Sequence, residues 1–518
     1  MDITPAALVD TVPRTKHAGT RKQIRGSSLL LVGRVLSMAV NLGVQVLIVN
    51  HLSKTDYGAF AYALSMVALG ETIVTFGLDR AITRFVPIFD EQRDYDKLFG
   101  TLLMVLSIVL SLGIATILLV YVFQGLIVER VIDDQLAATL LLILIALAPV
   151  QALDTLLTGM FAVFASPFAI FFRRYLLAPG LKLGIVVLLI LGHKDVFFLA
   201  AGYLVASILG VATYLVILFR VLRDQGLFRR FDPRTIRVPA RDILAFTVPL
   251  LSSDLMYAVM NAVAVLMLGY FQSASDVAAL RAVQPAAKLN EFVLASFGLL
   301  FTTSAARLFA RNDREEINNL YWQNAIWIAV VSFPIFALSF SLAQPLTLAV
   351  YGERYADSAT ILALLSIGYY FSAALGQNGL TLKVYGKVRY VVAVNILAVL
   401  VNLGINLLLI PRYGALGAAI GTSGTLIAHN IFKQVGLRLG TGISLFESRY
   451  LKVYLIIALS ALGLLLVQLM TSLPFFVSFV LAAIASVLVL WLSRKSLNVG
   501  QVFPELLRFP MLRRVFGE

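Results

Sequence analysis

Phe99 to Val122 reads FGTLLMVLSIVLSLGIATILLVYV, 24 residues without a charged side chain. As a helix rising about 1.5 Å per residue, such a run is longer than the roughly 30 Å hydrocarbon layer of a bilayer. Its apolar residues are continuous rather than alternating, which excludes a strand of a membrane barrel. Similar runs recur along the chain. Fourteen are expected, at about 26–50, 57–78, 99–122, 136–162, 168–191, 196–219, 243–271, 278–304, 321–350, 358–379, 388–410, 414–432, 453–471 and 474–493. Across all 518 residues, 60% are hydrophobic and 14% charged, with a mean hydropathy of +0.90. A water-soluble fold of this size cannot bury so much apolar surface. The expected class is an all-α integral membrane protein.

The basic residues orient it. With the N-terminus inside, and residues near span edges assigned to the adjoining segment, 33 of the 42 Lys and Arg fall on the cytoplasmic side and six outside. Arg34, Lys182 and Lys288 lie within spans. This asymmetry predicts a multi-pass protein of the cytoplasmic (inner) membrane with both termini cytoplasmic. The same bias explains the net charge of +14 without nucleic-acid binding. Residues 1–25 are polar and basic and lack the apolar core of a cleaved signal peptide. The absence of cysteine excludes disulfides, thiolate metal sites and a cysteine nucleophile. His17, His51, His193 and His429 are too scattered to form a zinc motif, so no metal site is expected.

Spans one to twelve divide into six and six about a basic linker at 220–242 that holds Arg220, Arg223, Arg229, Arg230, Arg234, Arg237 and Arg241. The expected reading of that linker is an anchor against anionic lipid. A constant shift of 220 residues pairs Ser53 with Ser273, Asp56 with Asp276, Asn41 with Asn261, and Glu71 with Glu291. An even number of spans per repeat leaves both halves in the same orientation, related by a pseudo-twofold axis along the membrane normal. Such bundles rock about a central site in transporters. The expected organisation is a cytoplasmic segment 1–25, six-helix bundles at 26–219 and 243–432, a cytoplasmic loop at 433–452, two further spans within 453–493, and an amphipathic basic tail at 494–518.

Three stretches carry a family likeness: LSKTDYGAF (Leu52–Phe60), FGLDRAITRF (Phe76–Phe85) and NLLLIPRYGALGAAIGTSG (Asn406–Gly424). With the six-plus-six-plus-two arrangement, they resemble the multidrug/oligosaccharidyl-lipid/polysaccharide exporter superfamily, and within it the polysaccharide-transporter branch of O-antigen type flippases. The resemblance implies translocation of a polyisoprenyl-pyrophosphate-linked oligosaccharide by alternating access, for surface polysaccharide biosynthesis. Lipid-linked oligosaccharide, membrane lipids and a polysaccharide polymerase or assembly protein are the implied partners. No cofactor is implied, although H+ or Na+ could serve as coupling ion. The alternatives are an ion-coupled multidrug or cation antiporter of the same superfamily and a flippase for a lipid-linked peptidoglycan precursor.

Ionisable groups within spans are costly and mark cavities or partners. Arg34 reads either as snorkelling to the surface or as a phosphate contact. Its repeat equivalent is Asp254, so a state-dependent Arg34–Asp254 pair is expected. Arg34, Lys182, Asn41 and Asn261 are the candidate substrate contacts; Asp254, Glu71, Glu291, Lys288 and Asp154 are the candidate gating or ion-coupling groups. Lys288 and Glu291, three apart, are expected to neutralise each other locally, and Asp154 is a candidate partner for Lys182. Asp94-Tyr95-Asp96 has the DxD form of sugar-nucleotide enzymes but sits in a short loop, and no phosphate-binding GxxxxGK[ST] stretch exists. A transporter, not an enzyme, is expected.

Overall fold

The computed structural model describes residues 15–130, 134–164, 170–471 and 473–498. Most of the expected tail at 494–518, with its amphipathic pattern, and the first fourteen residues lie outside them. Among the described residues the chain is helical, with no strand. Its first half comprises α1 (Thr15–His51), α2 (Lys54–Thr75), α3 (Leu78–Glu91), α4 (Tyr95–Val122), α5 (Gln124–Arg130), α6 (Gln135–Leu144) and α7 (Leu147–Phe164). A π-helical stretch, Phe171–Leu177, then runs directly into α8 (Ala178–Leu191), followed by α9 (Val196–Asp224). Beyond the basic linker come α10 (Ala240–Phe271), α11 (Ala274–Ala310), α12 (Arg314–Phe336), α13 (Ala343–Tyr351), α14 (Ser358–Ala374), α15 (Asn378–Val384) and α16 (Val388–Thr441). The described chain ends with α17 (Leu451–Thr471) and α18 (Phe475–Leu497).

Twelve stretches among the described residues are long and apolar enough to cross a bilayer. They differ from the expected fourteen in two places. The 37-residue α11 is not one of the twelve. The 54 residues of α16 count as one stretch, although Gly414 within it has φ 53 and ψ −132. Large apolar side chains stay exposed along the outer helices, among them Leu118, Val216, Leu459 and Val487. Water would not tolerate them; acyl chains solvate them.

Local sequence sets the helix ends. Ser53 and Ser273, one repeat apart, each cap the next helix by accepting the backbone N–H of Asp56 (3.0 Å) and Asp276 (3.3 Å). The helix of span two ends at Thr75, close to the expected residue 78, although the apolar stretch runs on to Glu91. Phe76 and Gly77 both take left-handed backbone angles and break the helix, after which α3 carries the chain on to Glu91. At Gly414 the positive φ reverses the chain direction, and the carbonyls this frees need donors. Gln272 Nε2 supplies one to Ile410 O (3.1 Å) and one to Pro411 O (3.2 Å). Asp276 Oδ1 lies only 2.8 Å from where a side-chain carbon on Gly414 would stand, so a larger residue is excluded there on two counts.

The halves meet along α2 and α11. One apolar core is common to both, joining Val49, Tyr57 and Phe60 to Leu268, Val277 and Tyr351. Separate cores fill the α3–α4–α7–α9 end of the first half and the α12–α16–α17–α18 side of the second.

Candidate functional site

A cavity of about 780 Å³ lies between the halves. Arg34 and Asn41 reach it from α1, Arg173, Arg174 and Lys182 from the π-helical stretch and α8, and Lys288 and Glu291 from α11. Five cations thus line it against two carboxylates, Asp154 and Glu291. Asn41 is held by its own helix, donating Nδ2–H to Ser37 O at 2.7 Å.

Arg173 is the residue that organises the first-half wall, and the sequence pattern did not single it out. Only 4% exposed, its guanidinium pairs with Asp154, donates Nε–H to Gly210 O at 3.1 Å, and stacks over the Tyr214 ring at 4.8 Å. Two features of the chain make this possible. Adjacent Arg173 and Arg174, both in the π-helical stretch, face different sides of it, one buried and one exposed. Gly210 opens the facing surface of α9: the guanidinium Nη2 lies 3.0 Å from where a side-chain carbon there would stand. Asp154 is therefore partnered by Arg173 and not by Lys182. Lys182 instead sets its Nζ over the Tyr203 ring at 5.4 Å. Glu71 is half-buried nearby, within electrostatic range of both Asp154 and Lys182.

In the second half, Lys288 and Glu291 continue into an adjoining polar pocket of about 170 Å³, which also takes in Asn261, Asn402, His429 and Lys433. The expected local pairing of Lys288 with Glu291 is not closed. Lys288 Nζ turns to Asn261 Oδ1 at 3.4 Å and lies 5.9 Å over the Tyr369 ring, a geometry that the Asn261 side chain one helix away makes available. Lys433, counted with a cytoplasmic loop in the sequence, lies in this pocket because α16 runs on to Thr441.

The expected pair of Arg34 with Asp254 is likewise corrected. Asp254 Oδ1 is taken by Arg80 Nη2 of α3 at 2.6 Å, because the break at Phe76–Gly77 lays α3 against α10. Arg84, one turn on, stacks over Phe246 at 4.3 Å. At the opposite end of the inter-half contact, Lys54 pairs with Asp357 at 2.6 Å. Arg354 there donates to the carbonyls of Val49 (2.8 Å) and Asn50 (2.6 Å). Arg281, assigned to an outer loop in the sequence, is inside α11 and donates to Ser65 Oγ of α2 at 2.6 Å.

The DxD stretch is structural. Asp94 caps α4 and pairs with Lys97 Nζ at 2.8 Å; the Lys97 contacts hold its carboxyl below the ordinary 3.8. Asp96 accepts from Thr235 Oγ1 at 2.6 Å and so pins the basic linker.

Solved structures with this architecture are transporters. The chain is similar to the lipid II flippase MurJ in an inward closed conformation, with a TM-score of 0.69 at 15% identity over 92% of this chain and 100% of that one. It is also similar to an inward-facing multidrug resistance MATE family transporter of the MOP superfamily, with a TM-score of 0.63 at 15% identity over 78% of this chain and 93% of that one. An uncharacterized membrane protein of Methanocaldococcus jannaschii is 20% identical over 417 residues, 77% of this chain and 81% of its own length. A MatE family model matches residues 249–408. The fold is that of the multidrug/oligosaccharidyl-lipid/polysaccharide exporter superfamily, a class of membrane transporters and flippases. Within it, a family model described as polysaccharide biosynthesis protein matches residues 24–300, more than half the chain, and the chain belongs to that family.

Proposed function

We propose that this protein is a fourteen-span flippase carrying a polyisoprenyl-pyrophosphate-linked oligosaccharide from the cytoplasmic to the outer leaflet. The two spans beyond the twelve come from α11 and from division of α16 at Gly414. Both termini would be cytoplasmic, and the bundles at 26–219 and 243–432 would rock about the cavity, with 453–493 as an appendage. The observation that carries this reading is the charge of the cavity: five cations face two carboxylates, and Arg173 already neutralises Asp154. Such a wall suits a pyrophosphate, whose oxygens guanidinium groups bind bidentately. Arg34, Arg174 and Lys182 are its direct contacts, with Asn41 and Asn261 bonding sugar hydroxyls. Glu71, Glu291, Lys288 and Asp254 would govern gating or coupling to H+ or Na+. One elementary charge crossing 100 mV supplies about 2.3 kcal/mol, so a few ions suffice to bias the cycle.

A cation antiporter would need the opposite wall charge. A lipid-linked peptidoglycan precursor carries the same pyrophosphate and shares the cavity chemistry. The test is leaflet exposure of lipid-linked oligosaccharide in cells lacking the protein, restored with wild type or with Arg34→Ala/Arg174→Ala. Oligosaccharide trapped on the cytoplasmic leaflet, cleared by wild type and not by the variant, is expected. Unchanged exposure with increased sensitivity to cationic compounds overturns the proposal in favour of an antiporter. Unchanged exposure with trapped peptidoglycan precursor reassigns the cargo.

A further inference from the structure

A second large cavity lies away from the inter-half cleft. About 740 Å³ in volume, it is a groove between α4 and α9, both of which pack on α7. Leu156, Leu157 and Met160 of α7 form its floor, and Leu102, Leu106 and Phe219 belong to its walls. The floor runs from Leu153 to Met160, roughly 10 Å of helix. That is about two thirds of one leaflet of a hydrocarbon layer roughly 30 Å thick. Only one end is polar, where Arg220 and Arg223 stand at the mouth.

We propose that this groove binds one anionic glycerophospholipid of the cytoplasmic leaflet, an acyl chain along α7 and the phosphate between Arg220 and Arg223. Charge and depth coincide: the groove is apolar over about two thirds of one leaflet, and both its basic residues sit at the end where a headgroup would lie. The linker arginines are not equivalent. Arg230 is committed to Tyr95, donating to its hydroxyl and stacking on its ring at 4.6 Å. Arg220 and Arg223 are exposed, and the contact of Arg223 Nε with Asp224 (3.5 Å) joins two solvated side chains, 65% and 70% exposed, which is a weak competitor. Among the seven arginines that read as a diffuse anchor, Arg220 and Arg223 thus stand at the groove, while Arg230 holds the linker to Tyr95. The proposal rests on the chain spanning a membrane and not on the cargo, so its failure leaves the flippase reading untouched.

The test is native mass spectrometry of the full-length protein in detergent, with phosphatidylglycerol and phosphatidylcholine of identical acyl chains as competing probes. Both lipids carry the phosphate, but choline cancels its charge in phosphatidylcholine, so two guanidinium groups facing the headgroup correspond to a preference of roughly thirtyfold for the anionic lipid. Arg220→Gln/Arg223→Gln should reduce that preference to less than about threefold. Arg307→Gln/Arg311→Gln, which removes two exposed cations at the end of α11, should leave it intact. Leu106→Trp, which fills the groove from a half-exposed wall position, should release both lipids. No preference in wild type, an undiminished preference in the Arg220/Arg223 variant, an equal loss in the α11 control, or full retention in Leu106→Trp would each overturn the proposal.

Discussion

Replacing Arg173 with Met removes the only cation in direct contact with Asp154 among the described residues. The carboxylate would then keep only the longer-range attraction of Arg174 and Lys182, against the like charge of Glu71. Breaking one side of a buried ion pair costs about 3–5 kcal/mol, and either Arg173→Met or Asp154→Asn should fall in that range. The double variant should not cost the sum. With both charges gone, what remains is the lost stacking on Tyr214 and the lost bond to Gly210 O. Those are worth about 0.5–2 kcal/mol and about 0.5–1.5 kcal/mol. A coupling energy of at least about 2 kcal/mol is therefore expected. Equilibrium unfolding by SDS titration in mixed micelles measures all four corners of this cycle. Additive penalties, with a coupling near zero, would refute the assignment of Arg173 as the counter-ion that holds the first-half wall together.

Four further outcomes are expected. Arg80→Asp and Asp254→Arg should each impair transport and the charge-swapped pair should restore it, with stability changed by less than about 1 kcal/mol because both side chains are partly exposed. In a chain with no native cysteine, Arg80→Cys/Asp254→Cys bridged by a short bifunctional thiol reagent should arrest transport until the bridge is cleaved. Gln272→Leu strips two carbonyls at the Gly414 reversal of their donor and, with Gln272 and Pro411 exposed, should cost about 0.5–1.5 kcal/mol in the same SDS titration, whereas Gln272→Asn, too short to reach, should behave like Leu. Glu447 is held below its ordinary value of 4.5 by hydrogen bonds from Asn318 and Ser444. A carboxyl lowered in the fold stabilises fully above 4.5 and loses that contribution as pH falls through its lowered value. Wild type should accordingly exceed Glu447→Gln in thermal stability at neutral pH and converge with it in acid.

Much of this architecture was legible before any coordinates, because bilayer physics constrains length and hydropathy more tightly than a soluble core does. The matching caps at Ser53/Asp56 and Ser273/Asp276 are legible in the sequence, since helix caps depend on residues three apart. Arg34, Lys182, Lys288 and Glu291 stood out as charges in apolar runs, and they line the same cavity. The partners were not legible. Arg80 and Asp254 are 174 residues apart, and their contact depends on the helix break at Phe76–Gly77, where Phe76 adopts an angle its residue type does not announce. Arg173 and Arg174 are identical neighbours in sequence, and hydropathy cannot register which of the two is buried against Asp154 and Gly210 O. Arg281 reads as a loop charge because it lies near the edge of its apolar run, and Lys433 because it lies just past the end of its own, while α11 begins at Ala274 and α16 runs on to Thr441.

The two ends of the inter-half contact are fastened unequally, and this asymmetry bears on direction. At the end holding Lys54 and Asp357, separation must break that ion pair, both Arg354 bonds, the bond from Asn50 to Val350 O (2.9 Å), and those from Gln45 to Arg281 O (2.9 Å) and Ala282 O (3.3 Å). Most of these are directed at backbone carbonyls and cost about 0.5–1.5 kcal/mol each, above an apolar core that crosses the same junction. At the α3 end, one partly exposed ion pair and the contacts of Phe85 and Arg84 with Phe246 face the same task. The α3 end should part first. The cavity residues lie toward that end of their helices: Arg34 precedes Gln45 and Asn50 along α1, and Glu291 and Ala295 follow Arg281 along α11. In the proposed orientation that end is cytoplasmic. If the cargo is the proposed lipid-linked pyrophosphate, its anionic headgroup entering at that end would compete with Asp254 for the Arg80 guanidinium and weaken this contact between the halves.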